Sequence, residues 1–595
     1  MTVLRLHTSS AGLDPGALVA GRDLVLHLHP VHGDDAPAGV YVLDHLDAAG
    51  RRAADQASLG TLADWRARFD GPLTVEGICW PFIWQLPVFR ILNGAVADAI
   101  GLRQAVRDAA PEVIEVADTD PDTLLLARAV GRDLGLEVRV APDAAAPGEL
   151  APPPPPPSRA QRLRRSVIGH VSALGFPSVL RRGSVAIHAY WPLMPLLDRM
   201  LAEPGHRPAL FLDKRPTGVG RSLGLARKGG WIGTPTEADR RWARPRARAL
   251  VEAIGADSRV DADGIELGEW LHPRLVRLAE QRAERDLATL RMLRRTLRRG
   301  RLRWIVGAYD VDPDARLIVV AAQEAGVRTL MLCHGAYVLP QPFADLDVCD
   351  EVALWSHDVA PDITNWDRPI HVVGYPLPVG DPPPTRPRPT DRPVRISVMG
   401  QGTVPTTSVL DDRITMRSYV VAIEAIARRF PDAEVVLRPN PRQDSSAFAY
   451  LQQRFPDVRL VQRSGGDIVE VHRDVDLTIG GASTSTFQAA LAGTPAILLN
   501  LTGTEWPYPL GGETTAVPIA RSADELDAAL VAWADDGVLG GRDDLLHALG
   551  VDGGDAVQRL LGILDGRPPA PGGPARGASG ARGEHENALA DAVSR

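Results

Sequence analysis

"TIGGASTSTFQAALAGTPAILLN", residues 478–500, is the stretch whose reading decides the fold. A short apolar run stops at Gly480 and Gly481, hydroxyls follow at Ser483, Thr484, Ser485 and Thr486, a helix is expected to begin near Ser483, and "PAILLN" supplies a second apolar run. Strand, helix and strand in that order form one β-α-β unit, which sets its two strands parallel.

The same grammar continues outward. "VRISVMG" (394–400) reads as a strand, and Tyr419, Ile423, Ile426, Ala427 and Phe430 recur at helical spacing. Then come "AEVVLRP" (433–439), a helix through "SSAFAYLQQRF" (445–455), "VRLVQR" (458–463) and a short helix over "DIVEVHRDV" (467–475). Short apolar strands separated by amphipathic helices predict a parallel sheet covered on both faces, a doubly wound Rossmann-like lobe. A middle block repeats the pattern in "SVAIHAYW" (184–191), a helix over "PLMPLLDRMLAE" (192–203), "PALFLD" (208–213), a long arginine-bearing helix, "RWIVGAYD" (303–310), "DARLIVVAAQEAG" (314–326), "VRTLMLCHG" (327–335) and "IHVVGYP" (370–376). In the first block, residues 111–142 form a good β-α-β unit, which leaves open whether residues 1–150 fold alone or complete the middle sheet.

Proline sets the boundaries. "APPPPPPS" (151–158) cannot join a helix or sheet interior and reads as a stiff spacer, and "VGDPPPTRPRPTDRP" (379–393) is a second break. The Gly-, Pro- and Ala-rich residues 566–595 read as a disordered tail. The expected organisation is an N-terminal α/β region (1–150), a polyproline linker (151–158), one Rossmann-like lobe (159–378), a second (390–565) and the tail.

With 595 residues, 45% apolar and 24% charged, the chain is long enough for several globular domains. Cys79, Cys333 and Cys349 show no paired metal spacing, so neither a disulfide framework nor a zinc site is expected, and the Asp-x-Asp triplets carry no metal reading. The N-terminus lacks a basic stretch followed by an apolar core, and no apolar run is long enough to span a bilayer, so a cytoplasmic chain is expected. A net charge of −8 gives no reason to expect a global electrostatic hold on nucleic acid. Locally, Arg291, Arg294, Arg295, Arg298 and Arg299 crowd the end of the long helix, with Arg301 and Arg303 beyond and an apolar face at Ala283, Leu287, Leu290 and Leu297. Arginine also gathers at Arg159, Arg162, Arg164 and Arg165. A solvated helix face accounts for these clusters. The alternative sets them on anionic lipid headgroups at the inner membrane surface.

In a doubly wound sheet, ligands bind beyond the carboxyl ends of the strands, where the candidate residues fall. Gly480 and Gly481 would let a ligand approach the backbone. Ser483, Thr484, Ser485 and Thr486 lie where a helix start leaves N–H groups unpaired and favours anions, whereas a plain N-cap needs only one hydroxyl. Gly400, Gly402 and Thr403 in "MGQGTV" (399–404) border the same edge. Arg438 in "LRPNPRQD" (437–444) can pair with a diphosphate through parallel hydrogen bonds, with Asn440 in the turn that follows. In the middle block His334, at the end of "LMLCH", is suited to take a proton near neutral pH, and His188 and Asp310 occupy the ends of two further strands. Asp310 has a second reading as a helix cap.

His-Gly after a strand, "VVGYP", "LRPNP" and "STSTFQAALAGTP" come in an order that resembles the two-lobed GT-B glycosyltransferases of surface and capsular polysaccharide synthesis, including the related CDP-glycerol glycerophosphotransferases. The likeness covers roughly residues 184–535. It implies a nucleotide-sugar donor held by the second lobe as co-substrate with no separate cofactor and no obligatory metal, and a glycan or lipid-linked glycan acceptor on the first. It implies His334 as the base, Arg438 as the phosphate contact, residues 483–486 as the phosphate-binding turn, and Gln488 near the ribose. Asn440 stands where those families carry histidine, and Gln488 where a carboxylate is common. A non-hydrolysing sugar-nucleotide epimerase and a catalytically inactive nucleotide-binding scaffold are the alternatives.

Overall fold

The computed structural model describes residues 2–9, 15–27, 37–69, 71–118, 120–145, 158, 160, 185–189, 199, 209–212, 235–307, 312–333, 349–356, 368–375, 382–400, 412–439, 446–463, 467–504, 516–551 and 555–566. His334, Asp310, Gly402, Thr403 and Asn440 lie outside them, as do residues 151–157, the clustered arginines at 159–165, nearly all of the expected helix over 192–203, and residues 567–595.

The N-terminal unit runs β1 (Val3–Ser9), β2 (Asp23–His27), a 3-10 turn (Val42–His45), α1 (Ala48–Phe69), the hairpin β3 (Thr74–Val75) and β4 (Ile78–Cys79), α2 (Trp80–Ile83), α3 (Gln85–Ala109), β5 (Val113–Asp118), α4 (Pro121–Leu134) and β6 (Glu137–Ala145). Its strands form their own parallel sheet in the order β2-β1-β5-β6. The β5-α4-β6 unit read from residues 111–142 is present: Asp120 accepts a hydrogen bond from Thr123 N to start the helix, and Gly135, at φ 69°, stops it.

The first lobe comprises β7 (Val185–Ala189), β8 (Ala209–Leu212), α5 (Glu237–Gly255), the hairpin β9 (Asp261–Ala262) and β10 (Ile265–Glu266), α6 (Gly268–Leu297), β11 (Trp304–Gly307), α7 (Pro313–Glu324), β12 (Arg328–Leu332), β13 (Glu351–Leu354) and β14 (Ile370–Val372). The six-stranded sheet is parallel throughout, in the order β14-β13-β12-β11-β7-β8. Helix α6 is the long arginine-bearing helix, and Ala283, Leu287, Leu290 and Leu297 are all buried. They join one continuous core with Trp65, Trp84 and Phe89 of the N-terminal unit. The unit thus neither stands apart nor extends the neighbouring sheet; it keeps its own sheet and shares a helix-lined core. Trp84 Nε1 donates to the buried Asp286 Oδ2 at 2.9 Å across that junction, and Arg316 Nη1 donates to Gln85 Oε1 at 3.1 Å.

The second lobe contains β15 (Arg395–Met399), α8 (Asp412–Arg429), β16 (Glu434–Arg438), α9 (Ser446–Arg454), β17 (Arg459–Gln462), α10 (Ile468–Arg473), β18 (Leu477–Gly480), α11 (Thr484–Phe487), β19 (Ala496–Leu499), β20 (Ile519–Ala520), α12 (Ala523–Asp536) and α13 (Arg542–Ala548). Its parallel sheet runs β17-β16-β15-β18-β19-β20. The two doubly wound lobes expected of the chain are therefore observed. The last described helix, α14 (Ala556–Leu564), was expected with the second lobe, but its apolar face packs on the first: Val557, Leu560 and Leu561 bury against Ile187, Val306 and Leu330. An amphipathic helix goes where its stripe finds an uncovered apolar sheet face, whatever its neighbours in sequence.

Candidate functional site

The second sheet reverses direction at β15. The chain builds β16 and β17 on one side and then returns to lay β18, β19 and β20 on the other. The crevice beyond the carboxyl ends at such a reversal is where open α/β sheets take ligands. Met399 pairs with Arg438 on one flank and with Gly480 on the other. Two candidates thus arrive at one level of the sheet, Arg438 and Gly480, two strand spacings, about 10 Å, apart. Gly400 N donates to Arg438 O at 2.8 Å and continues that edge. A cavity opens there, lined by Met399, Gly480, Gly481, Ile414, Thr415 and Thr502 among others.

Arg438 is half-buried. Burial pushes its guanidinium below the ordinary range, and the nearby Asp467 carboxylate opposes that shift. Asp467 caps α10 by accepting from Val469 N at 2.8 Å. A partly desolvated cation at a sheet's carboxyl edge is suited to an anion, because the Coulomb attraction there is less screened than in water.

The hydroxyl cluster divides into two roles. Ser483 is the N-cap of α11 and accepts from Thr486 N; its Oγ also lies 2.9 Å from Ser485 Oγ and 3.1 Å from Thr486 Oγ1. Thr486 is buried, while Ser483, Thr484 and Ser485 remain partly exposed at the turn. Helix α11 is a single turn followed by a 3-10 segment (Gln488–Ala492), shorter than the helix expected from residue 483. Gly480, which lines that cavity, also has a packing role. A Cβ there would lie 2.6 Å from Thr486 Oγ1 and 2.8 Å from Met399 Cβ, so the protein's own side chains fill the space the glycine vacates.

Gln488 is buried, and its Nε2 donates to Tyr375 Oη at 2.6 Å, a contact that joins the end of the first lobe to the second. Burial pushes the Tyr375 phenol up to about 12, so it stays protonated. Two groups missed in the sequence complete the support. His472, fully buried on α10, contacts Ser485 O at 2.7 Å through Nε2 and Thr478 Oγ1 at 3.0 Å through Nδ1. Arg386, in the proline-rich segment between the lobes, donates to the carbonyl oxygens of His472 and Val475, both at 2.8 Å. His472 lies six residues before Thr478 in the chain, whereas Arg386, in the proline-rich break, carried no sequence signal.

On the first lobe, His188 lies at the carboxyl end of β7, 2% exposed, beside the sheet reversal between β7 and β11. Strand β12 ends at Leu332, just before the buried Cys333, and β11 ends at Gly307, while His334 and Asp310 lie outside the described residues. The cap of α7 is Asp312, which accepts from Asp314 N at 3.0 Å. Among the described residues, no group of three or more His, Cys, Asp or Glu side chains is placed to hold a metal ion.

The arginines of α6 are partly consumed internally. Arg295 makes two hydrogen bonds to Asp239, at 2.6 and 3.0 Å, and Arg294 pairs with Glu324 at 2.6 Å. Those bonds hold the Asp239 carboxyl at about 2, against a desolvation that acts the other way. Arg240, Arg241, Arg298, Arg299, Arg301 and Arg303 are exposed and have no ion-pair partner among the described residues. No helix among the described residues is long and apolar enough to cross a membrane.

No protein-family model matches the chain, and no curated protein matches it. Among solved structures it is similar to the pneumococcal O-GlcNAc transferase GtfA in complex with UDP and GlcNAc, at 10% identity and TM-score 0.33, over 44% of this chain and 56% of that one. The chain thus spans little more than half the length of that relative. It is similar to the lipopolysaccharide outer core galactosyltransferase WaaB at 10% identity and TM-score 0.40, over 64% of this chain and 98% of that one. A UDP-GlcNAc 2-epimerase from Neisseria meningitidis bound to UDP-GlcNAc is similar at 8% identity and TM-score 0.40, over 64% and 99%.

Proposed function

We propose that the chain is a glycosyltransferase of GT-B architecture that moves a sugar from a nucleotide donor to an acceptor hydroxyl in the synthesis of a cell-surface glycan. One observation carries this reading: Gly400, Arg438 and the turn at residues 483–485 share the carboxyl edge of the second sheet where its strand order reverses. A glycine, a partly desolvated arginine and exposed hydroxyls suit a diphosphate.

In this reading the acceptor oxygen attacks the anomeric carbon, the bond from that carbon to the diphosphate breaks, and the acceptor proton passes to His334. The leaving diphosphate takes the bonding electron pair and meets Arg438 and the N–H groups of the turn, which are already in place before charge develops. His188 and Asp310 line the acceptor side. The donor is a co-substrate, and no separate cofactor takes part. The acceptor is a glycan or a lipid-linked glycan, and the six exposed arginines near the ends of α5 and α6 provide an electrostatic hold on an anionic membrane surface.

The test is a thermal-shift screen of nucleotides and sugar nucleotides. Binding at about 100 times Kd adds roughly 2.7 kcal/mol of stability. A diphosphate-bearing or CMP-type nucleotide is expected to give the largest shift, with Arg438→Gln and the pair Thr484→Ala with Ser485→Ala reducing it. No shift with any nucleotide overturns the reading. Conversion of the donor to an epimer without an acceptor moves the assignment to an epimerase.

A further inference from the structure

The N-terminal unit touches the second lobe at one corner. Asp44, in the 3-10 turn, forms an ion pair with Arg413 in the first turn of α8, and the Arg413 guanidinium lies 4.7 Å from the centroid of the Tyr41 ring. A second close approach falls nearby: Gly503, at φ 69°, sits near enough to Ala48 that a Cβ on it would lie 3.4 Å from Ala48 Cβ. Both points of contact adjoin the wall of the second-lobe cavity. Ile414 and Thr415 follow Arg413 directly, Thr502 precedes Gly503, and all three line that cavity.

The corner and the wall are each stiff. Asp44 Oδ2 accepts from Gly39 N at 3.2 Å and Tyr41 N at 3.4 Å, which orients the carboxylate before it meets arginine. Asn500 Oδ1 accepts from Thr502 Oγ1 at 2.6 Å, and its Nδ2 donates to Thr504 O at 2.8 Å, so the Gly503 loop moves as a unit. The N-terminal unit, for its part, is fused to the first lobe through the common core and the Trp84–Asp286 bond. Residues 41–48 therefore tie two walls of the second-lobe cavity to the body that carries the first lobe.

We propose that Asp44 and Arg413 are positioning residues for a nucleotide bound at the sheet edge that this cavity adjoins, acting through Ile414, Thr415 and Thr502; the proposal rests on the nucleotide reading above. The side chains are only 16% and 19% exposed, so removing one charge takes a close, poorly solvated counter-charge away from the other. The wall then relaxes, and the ligand must re-order it on binding.

The experiment uses the full chain as wild type, Asp44→Arg, Arg413→Asp, the double exchange, and Asp44→Asn. Dissociation constants for UDP and CDP are measured by calorimetry, with hydrogen exchange followed over residues 412–420 and 496–504. Each single exchange is expected to weaken binding roughly tenfold and to speed exchange in both segments, with the double exchange restoring both. If a charge reversal prevents folding, Asp44→Asn keeps the backbone hydrogen bonds while removing the charge, and it is expected to show the same loss. Wild-type affinity in Asp44→Asn, or in the single exchanges, overturns the positioning role and leaves the nucleotide reading intact. If the wild type binds neither UDP nor CDP nor any other nucleotide of the thermal-shift screen, although hydrogen exchange follows the charge pattern, the nucleotide reading fails and the role falls with it.

Discussion

His472 Nε2 lies 2.7 Å from the carbonyl oxygen of Ser485, while its Nδ1 lies 3.0 Å from Thr478 Oγ1. A carbonyl only accepts, so Nε2 carries the proton and Nδ1 accepts from the threonine hydroxyl. Thr478 Oγ1 in turn lies 2.9 Å from Ser397 Oγ on the neighbouring strand. A neutral imidazole thus ties the hydroxyl turn to the sheet beneath it.

Burial pushes His472 down to about 4, with the Arg438 and Arg386 charges adding to the effect. The unfolded chain binds this proton near pH 6.5 and the folded protein does so only near 4. Stability is therefore complete above about 6.5 and falls as pH drops toward 4, by roughly 3 kcal/mol in all. Urea unfolding of wild type and His472→Gln at several pH values checks this. The variant is expected to be less stable at pH 7 and to lose this part of the acid sensitivity.

Gly480→Ala is expected to destabilise the protein by about 1–3 kcal/mol, because the added methyl meets Thr486 Oγ1 and Met399 below normal contact distance. Gly94→Ala, in α3 with nothing within 4 Å of its Cβ position, is expected to gain about 0.5–1 kcal/mol from helix propensity. Denaturant midpoints measured side by side test the contrast.

Tyr375→Phe leaves the buried Gln488 amide without its acceptor, and Gln488→Leu leaves the phenol without its donor. Each change is expected to destabilise by about 1–3 kcal/mol. The double variant is expected to lose less than the sum of the two, since the groups are direct partners. A double-mutant cycle by urea unfolding measures this coupling between the lobes.

Asp286→Ala strands Trp84 Nε1 and takes the acceptor from Arg282 Nε, which donates to the same carboxylate oxygen at 3.0 Å, leaving that arginine the longer pair with Asp314 at 3.7 Å. A loss of about 3–5 kcal/mol is expected, and Asp286→Asn, which keeps an acceptor, is expected to lose less. If the N-terminal unit shares its core with the first lobe, calorimetry of Asp286→Ala shows both melting earlier together.

Reading the second lobe from sequence worked because its strands are short apolar runs buried on both faces, and its helices carry one apolar stripe. The reversal at β15 brought Gly400, Arg438 and Gly480 to one edge in the manner that β-α alternation implies. Partner choice was not legible. That Gln488, which the resemblance sets near a ribose, donates to Tyr375, 113 positions away, and that Gly480 makes room for Thr486, could not be read from the chain. His472 showed nothing in its local pattern to separate it from a solvated histidine. Arg294 and Arg295 declared their charge, but not that Glu324 and Asp239 would meet them.

Local periodicity by itself determined the parallel sheets, the strand ends and the residue types gathered there, because backbone hydrogen bonding and apolar burial are enforced within a few residues. Only the tertiary structure decided what each of those residues touches, that α14 covers the first lobe, and that a corner of the N-terminal unit grips Arg413. Those outcomes depend on side chains distant in the chain competing for the same buried space, and no window along the sequence contains both competitors.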